Sequence, residues 1–203
     1  MTTRARDLAL DFIVGDGVTS LGQEGGYANN PADKGGETFR GISRRFHGDW
    51  PGWARVDQLK THPEFPAAAV YDGTLDIMVR EFFVVEFWDK VHGDELPEKM
   101  AVAVCDFAVN SGPDTAIRFL QITLGVPVDP SSVPIEYRVG PKTVKAANDA
   151  GEDSVVSYLA RRAKFLHEVM DADPTQQVWA LNWLRRLFSL SNVVLDGAGV
   201  NFS

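Results

Sequence analysis

Residues Leu21 to Ile42 read LGQEGGYANNPADKGGETFRGI, a stretch with one carboxylate, Glu24, set against Gly25-Gly26 and followed by Asp33, Gly35-Gly36, Thr38 and Gly41. Upstream, Leu10, Val14, Val18 and Leu21 recur at intervals of four, four and three, one helical face leading directly to Glu24. The spacing predicts Glu24 at the end of a helix, pointing into a cleft, with Gly15 and Gly17 marking a possible break. A Gly-Gly pair after Glu also reads as an ordinary helix stop. Downstream, Asn29-Asn30-Pro31 and Gly35-Gly36 are turn formers, so the chain after Glu24 is expected to make a short hairpin-like excursion that folds two acids across one groove. Gly25 and Gly26, lacking Cβ, leave room for a polymer to approach the backbone.

The ordered set Glu24-Gly25-Gly26-Tyr27, Asn30-Pro31-Ala32-Asp33, Gly35-Gly36-Glu37-Thr38 and Gly41-Ile42-Ser43 resembles the signature of the glycoside hydrolase 108 family. That resemblance implies a bacterial or phage N-acetylmuramidase with a lysozyme-like helical fold. The order Glu, Asp, Thr is also similar to the catalytic trio of phage-type lysozymes. Asp106 to Gly112, DFAVNSG, extends the likeness and places Asn110 at a cleft edge. Ala116 to Gln121, Leu124-Gly125-Val126 and Val139 to Thr143 resemble the second part of the same family, which is assigned to peptidoglycan binding. Where the general peptidoglycan-binding repeats carry an Asp-Gly turn, this chain has Val128-Asp129-Pro130 and a longer loop to Arg138. That departure weighs against wall binding through this turn, and region 113–190 reads first as a helical subdomain that completes the fold. Asn182 to Arg186 is similar to a Gly-Trp-Leu-x-Arg segment of the family, with Asn in place of Gly.

At 203 residues the chain has room for one full-sized domain with a small appendage, and 44% hydrophobic with 24% charged residues is the balance of a soluble globular protein. A formal charge of −8 argues against a general nucleic-acid binder and gives no help in approaching an anionic wall. Arg40, Arg44 and Arg45 follow the motif and read either as local positive charge facing an anionic wall or as a solvated face. Cys105 is single and sits in AVAVCDFAV, as a buried, inert thiol does. No export signal, and no run of about 18 apolar residues, is visible, so no membrane insertion is expected. The expectation is synthesis in the cytoplasm and action at the bacterial wall after release, by a holin or another export route.

Along the rest of the chain, Trp50, Trp53 and Phe46 read as core or as sugar-stacking rings. Thr74 to Val91 is an amphipathic helix with Thr74 as N-cap. Met100 to Ser111 is apolar nearly all round, as the central helix of an α domain is, with Asp106 and Asn110 as its polar exceptions. Asp114 or Thr115 caps the next helix, which Gly125 stops. Ser154 to Met170 buries Val155, Leu159 and Leu166 and turns Arg161-Arg162 toward solvent. Val178 to Leu190 forms a last amphipathic helix, and the tail after it frays.

Glycosidic cleavage needs a proton delivered to the leaving oxygen, which a carboxyl does near neutrality only if burial raises its pKa. Glu24, flanked by Leu21 and Tyr27, is the candidate general acid. An inverting hydrolase also needs a carboxylate roughly 6.5–9.5 Å away, across a water. Asp33 fills that role in this reading and Thr38 holds the water. Asp33 reads alternatively as an Asx-turn acceptor fixing its own loop. Glu37 is a reserve acid expected to face solvent at the hairpin edge. Tyr27, Gly36 and Asn110 are the candidate substrate contacts, Tyr27 otherwise anchoring the turn. His47, His62, His92 and His167 are isolated, with no metal-binding spacing, so no metal or cofactor is expected.

The expected fold is mainly α: a lysozyme-like catalytic region over 1–112 with the hairpin-like excursion, a packed helical subdomain over 113–190 and a tail over 191–203. The expected reaction is hydrolysis of the β-1,4 bond between N-acetylmuramic acid and N-acetylglucosamine in peptidoglycan glycan strands. A lytic transglycosylase using the same Glu24, and a non-catalytic wall-binding or phage structural protein, are the alternatives.

Overall fold

The computed structural model describes residues 2–16, 21–29, 35–129, 134 and 138–195. Val18, Asn30 and Pro31 of the expected turn, Asp33, most of residues 130–137 and everything from residue 196 lie outside the described residues. The chain divides into two compact units, Leu10–Glu86 and Met1–Ala9 with Phe87–Ser203. Helices dominate both, as the sequence predicts.

The unit Leu10–Glu86 holds the carboxyl end of α1 (Thr2–Val14), a small sheet and helices α2 (Gly52–Leu59), α3 (Ala67–Val70) and α4 (Gly73–Phe83). The helix expected to run to Leu21 stops at Val14, because Gly15 turns to φ 83 and leaves the helical path. The excursion that follows is a three-stranded antiparallel sheet in the order β1 (Tyr27–Asn29), β2 (Glu37–Phe39), β3 (Ile42–Ser43). Its register pairs Tyr27 with Phe39, Ala28 with Thr38, Asn29 with Glu37, Thr38 with Ser43 and Phe39 with Ile42. Residues opposed across strands share a face. Ala28, Thr38 and Ser43 therefore face one side, and Tyr27, Glu37, Phe39 and Ile42 the other. Phe39 and Ile42 are fully buried, so the second side faces this unit's core.

Trp50 and Trp53 belong to that core. Trp50 stacks on Phe39 at 6.2 Å and meets Trp53 edge-on at 5.4 Å. A Cβ on Gly52 would lie 2.2 Å from the Trp50 indole, so only glycine lets the ring lie flat there. Phe46, by contrast, is exposed. Asp72, not Thr74, caps α4: the chain is still extended at Asp72, and its carboxylate accepts from Leu75 N–H at 3.0 Å. A single π-turn, Val84–Trp88, follows α4.

In the second unit α5 (Glu98–Ser111) is buried continuously from Met100 to Ala108, the central helix its composition predicts. It packs with α6 (Pro113–Leu124), α8 (Asp153–Ala172) and α9 (Ala180–Val194), while α7 (Pro141–Asp149) lies against α6. Phe107 contacts the rings of Phe119, Tyr158 and Phe165, and the Tyr158 hydroxyl donates to the Ala116 carbonyl at 3.1 Å. Neither Asp114 nor Thr115 caps α6. Pro113 opens it, its fixed φ suiting the first helical position and its missing N–H costing nothing there. Gly125, at φ 66, ends it as expected.

Arg162 departs from expectation: it is fully buried rather than solvent-facing. Positions 155, 159, 162 and 166 share one helical face of α8, and on the other side of that packing stands the buried carboxylate of Asp106. Arg186 from α9 completes the group, its Nε donating to Asp106 Oδ1 at 2.9 Å. Burial pushes the Asp106 carboxyl up, but Arg186 and Arg162 outweigh it and hold the group below the ordinary Asp range. The Cys105 thiol beside it is buried and pushed far up, which leaves it inert.

Candidate active site

Glu24 sits in a turn, not on a helix, and the carboxyl end of α1 holds it in place. The N–H groups of Gln23 and Glu24 donate to the Ile13 carbonyl at 2.8 and 3.0 Å, capping a helix end that glycine has opened. Gly22 makes this approach possible. At φ 61, any Cβ there would lie 2.4 Å from Gly15 N and 2.5 Å from Ile13 O. The site therefore begins with a helix terminus whose carbonyls receive the loop that carries the candidate acid.

Across from that loop is the β2–β3 connection. Phe39 and Ile42 pair directly, so Arg40-Gly41 is a two-residue hairpin turn with φ 44 and 80, the double positive φ of a type I′ turn. The half-buried Glu24 side chain lies on the α-carbon of Gly41: a Cβ there would stand 2.8 Å from Glu24 Oε2 and 3.0 Å from its Cβ and Cγ. Arg40 N–H donates to the Gly26 carbonyl at 2.7 Å, fastening the same turn to the loop just past Glu24. Gly22 and Gly41 thus act by close approach within the chain, to the end of α1 and to the Glu24 side chain.

Thr38 is on the face away from the core. Its hydroxyl donates to the Gly36 carbonyl at 3.3 Å, and Ser43, directly opposite, donates to the Gly35 carbonyl at 2.6 Å. A hydroxyl whose proton is engaged this way still offers oxygen lone pairs to an incoming water. Gly36 takes φ 64 at the start of β2, a conformation that favours glycine. Thr38 and Gly36 are thus brought together, and Glu24 packs on the turn two residues beyond the end of that pair. Asp33 lies outside the described residues.

Tyr27 faces the opposite side of the sheet from Thr38. Its ring meets Phe65 edge-on at 4.7 Å and its hydroxyl donates to Glu37 Oε1 at 3.1 Å. It also lines an open groove of about 760 Å³ with Leu21, Gly26, Phe65, Val70 and Tyr71. Glu37 does not face solvent as expected. Its side chain is 14% exposed and is gripped by Lys60 at 2.6 Å and Arg44 at 3.1 Å. Burial pushes its carboxyl up, but Lys60, Arg44 and Tyr27 outweigh that and hold it below the ordinary Glu range. An acid held ionised is a poor proton donor, so Glu37 serves as an anchor. Arg44 and Lys60 both continue to Asp57 on α2, and the Arg44 guanidinium covers Trp53 at 5.1 Å.

Asn110 ends α5 in the other unit, half-buried, where its Oδ1 accepts from Arg162 and Ser111 at 3.4 Å each. Among the described residues no group of three or more His, Cys, Asp or Glu is placed to hold a metal ion, and no helix is long and apolar enough to cross a membrane.

Sequence reasoning missed Arg40, which is fully buried and bonded to Asp76 at 2.8 Å rather than part of a solvated face. Only the turn was signalled, by Gly41 between the apolar residues Phe39 and Ile42; the burial of Arg40 depends on Asp76 and Val14, both distant in the chain.

Residues 19–112 match the family model described as glycosyl hydrolase 108. No curated relative matches the chain. Among solved structures the chain is similar to Brucella abortus SagA at 22% identity and a TM-score of 0.63, over 98% of each chain. That likeness concerns the fold, which is mainly α and lysozyme-like.

Proposed function

We propose, on the match of residues 19–112 to the glycosyl hydrolase 108 model, that this chain is a glycoside hydrolase of that family acting on peptidoglycan, an N-acetylmuramidase with Glu24 as its general acid. The bond cleaved is the β-1,4 link from N-acetylmuramic acid to N-acetylglucosamine. The observation that carries the reading is the Glu24 carboxylate laid on the bare α-carbon of Gly41, in the hairpin whose β2 strand bears Thr38. An acid held against backbone, with no side chain intervening, keeps one direction, and a fixed direction is what protonating a leaving oxygen requires.

In this mechanism Glu24 protonates the glycosidic oxygen as the bond to the anomeric carbon lengthens. Asp33 takes the proton of a water attacking that carbon, and Thr38 Oγ1 accepts a hydrogen bond from the same water. Gly36 contacts the glycan. Tyr27, on the other face of the sheet, contacts it away from the attacked carbon. Region 1–112 supplies the chemistry. Region 113–190 completes the fold, which the Asp106 group supports, since its two arginines lie beyond residue 112. Delivery to the wall by a holin or similar route belongs to the same proposal.

Mass spectrometry of products from purified peptidoglycan tests the reading, with wild type, Glu24→Gln and Asp33→Asn side by side. Reducing-end muramic products from the wild type, lost in both variants, are expected. Products lighter by one water, with Asp33→Asn still active, would reassign the reaction to a lytic transglycosylase. A folded wild type that binds the wall but releases nothing would leave a binding protein.

A further inference from the structure

Arg40 combines two features that rarely coincide. It is a non-glycine residue at φ 44, and its side chain is a fully buried cation. Each is unfavourable unless something holds it. The guanidinium is held on two sides, by Asp76 Oδ1 on α4 at 2.8 Å and by the Val14 carbonyl at the end of α1. Asp76 is also bonded by Arg80, which in turn donates to the Gly15 carbonyl at 2.7 Å. Three successive carbonyls at the end of α1 therefore receive the Glu24 loop at Ile13, Arg40 at Val14 and Arg80 at Gly15. Cationic donors suit the negative end of the helix dipole.

The Glu24 loop and the turn beneath Glu24 thus share one anchor. We propose that Arg40 is a positioning residue for the reaction: by tying the Arg40-Gly41 turn to α1 and α4, it sets the direction of the Glu24 carboxyl that lies on that turn. Arg40 touches no reacting atom; it acts through Gly41. The proposal rests on the reading of Glu24 as proton donor. Lysine at position 40 keeps the charge but presents a single ammonium in place of the planar fork, so it cannot hold both anchors with the same geometry. Alanine at position 41 must hold φ 80 in the turn and stand 2.8 Å from Glu24 Oε2, so it displaces the carboxylate while leaving the Arg40 side chain in place.

Steady-state kinetics on soluble peptidoglycan oligosaccharides, for wild type, Glu24→Gln, Arg40→Lys and Gly41→Ala, tests this, with thermal unfolding run on each. The expected result is a kcat lowered about 10-fold in Arg40→Lys and about 100-fold in Gly41→Ala, the scale of a misplacement near 1 Å. KM should stay within about twofold, because only transition-state contact is lost. A merely structural role would lower the unfolding midpoint without that split. Wild-type kcat in either folded variant, or a loss expressed in KM alone, overturns the proposal while a dead Glu24→Gln leaves the acid assignment standing. Full activity in Glu24→Gln removes the acid assignment, and the proposal with it. If Arg40→Lys does not fold, Gly41→Ala, which retains the Arg40 side chain, decides alone.

Discussion

The carboxylate of Asp106 and the guanidinium of Arg162, fifty-six residues apart in sequence and both shut off from solvent, are bonded to each other between α5 and α8. Arg186 approaches the other carboxylate oxygen, so one buried anion serves two cations. Removing that anion leaves two guanidiniums facing each other in the interior. Asp106→Asn is expected to cost about 3–5 kcal/mol, the range for breaking a buried pair from one side. Equilibrium denaturation in urea measures it, and a loss below about 1 kcal/mol would show that water reaches the site.

The same carboxylate sets an acid limit. Its folded-state pKa lies below the ordinary Asp value of 3.8, so its contribution is fully present above that pH and is lost as pH falls through the lower folded value. Glu37, whose pKa is likewise lowered, acts in the same direction. The unfolding midpoint is expected to hold down to about pH 4 and then drop. In Asp106→Asn the drop below pH 4 should be shallower, which thermal melts across pH 2–6 would reveal.

Much of this was legible because it rests on local rules. The all-round apolar run Met100–Ala108 meant a central helix, and Gly125 meant a stop; both are observed. The density of glycine and turn residues after Glu24 meant a short sheet, and that sheet is there. What could not be read depends on partners distant in the chain. The charge of Arg162 suggested solvent, and only Asp106 across the helix packing reverses that. Arg40 and Glu37 likewise read as surface residues in sequence, because Asp76, Arg44 and Lys60 are brought to them only by the fold. Helix length failed at Gly15 for a related reason: apolar spacing continued past a glycine whose φ had already turned the chain.

Gly22 offers a test of the mooring itself. Alanine there must adopt φ 61 and place its Cβ within 2.5 Å of two backbone atoms at the end of α1. A strained backbone position costs roughly 1–3 kcal/mol before any clash is counted. Gly22→Ala is expected to lower stability by at least about 2 kcal/mol and to lower kcat as well, since the Gln23 and Glu24 N–H bonds to Ile13 must lengthen. Gly25→Ala, with φ 69 but nothing within 4 Å of the added Cβ, isolates the strain alone. If the two variants lose equal stability, contact with α1 contributes nothing.

Glu24 and Glu37 are the two glutamates of the motif, and their surroundings assign them opposite tasks. Glu37 is bonded by Lys60, Arg44 and Tyr27 and stays ionised, tying β2 to α2. Its replacement by Gln keeps the shape and loses the charge-assisted bonds, a loss of roughly 1 kcal/mol for a network open to solvent at Lys60 and Asp57. Turnover in Glu37→Gln is expected to remain within about tenfold of wild type, while Glu24→Gln loses at least about 100-fold, the lower end of what general acid catalysis contributes. Rates of peptidoglycan solubilisation for the two variants, compared at equal folded fraction, decide between them. A dead Glu37→Gln beside an active Glu24→Gln would move the proton donor from the α1 loop to strand β2, and with it the face of the sheet on which the scissile bond lies.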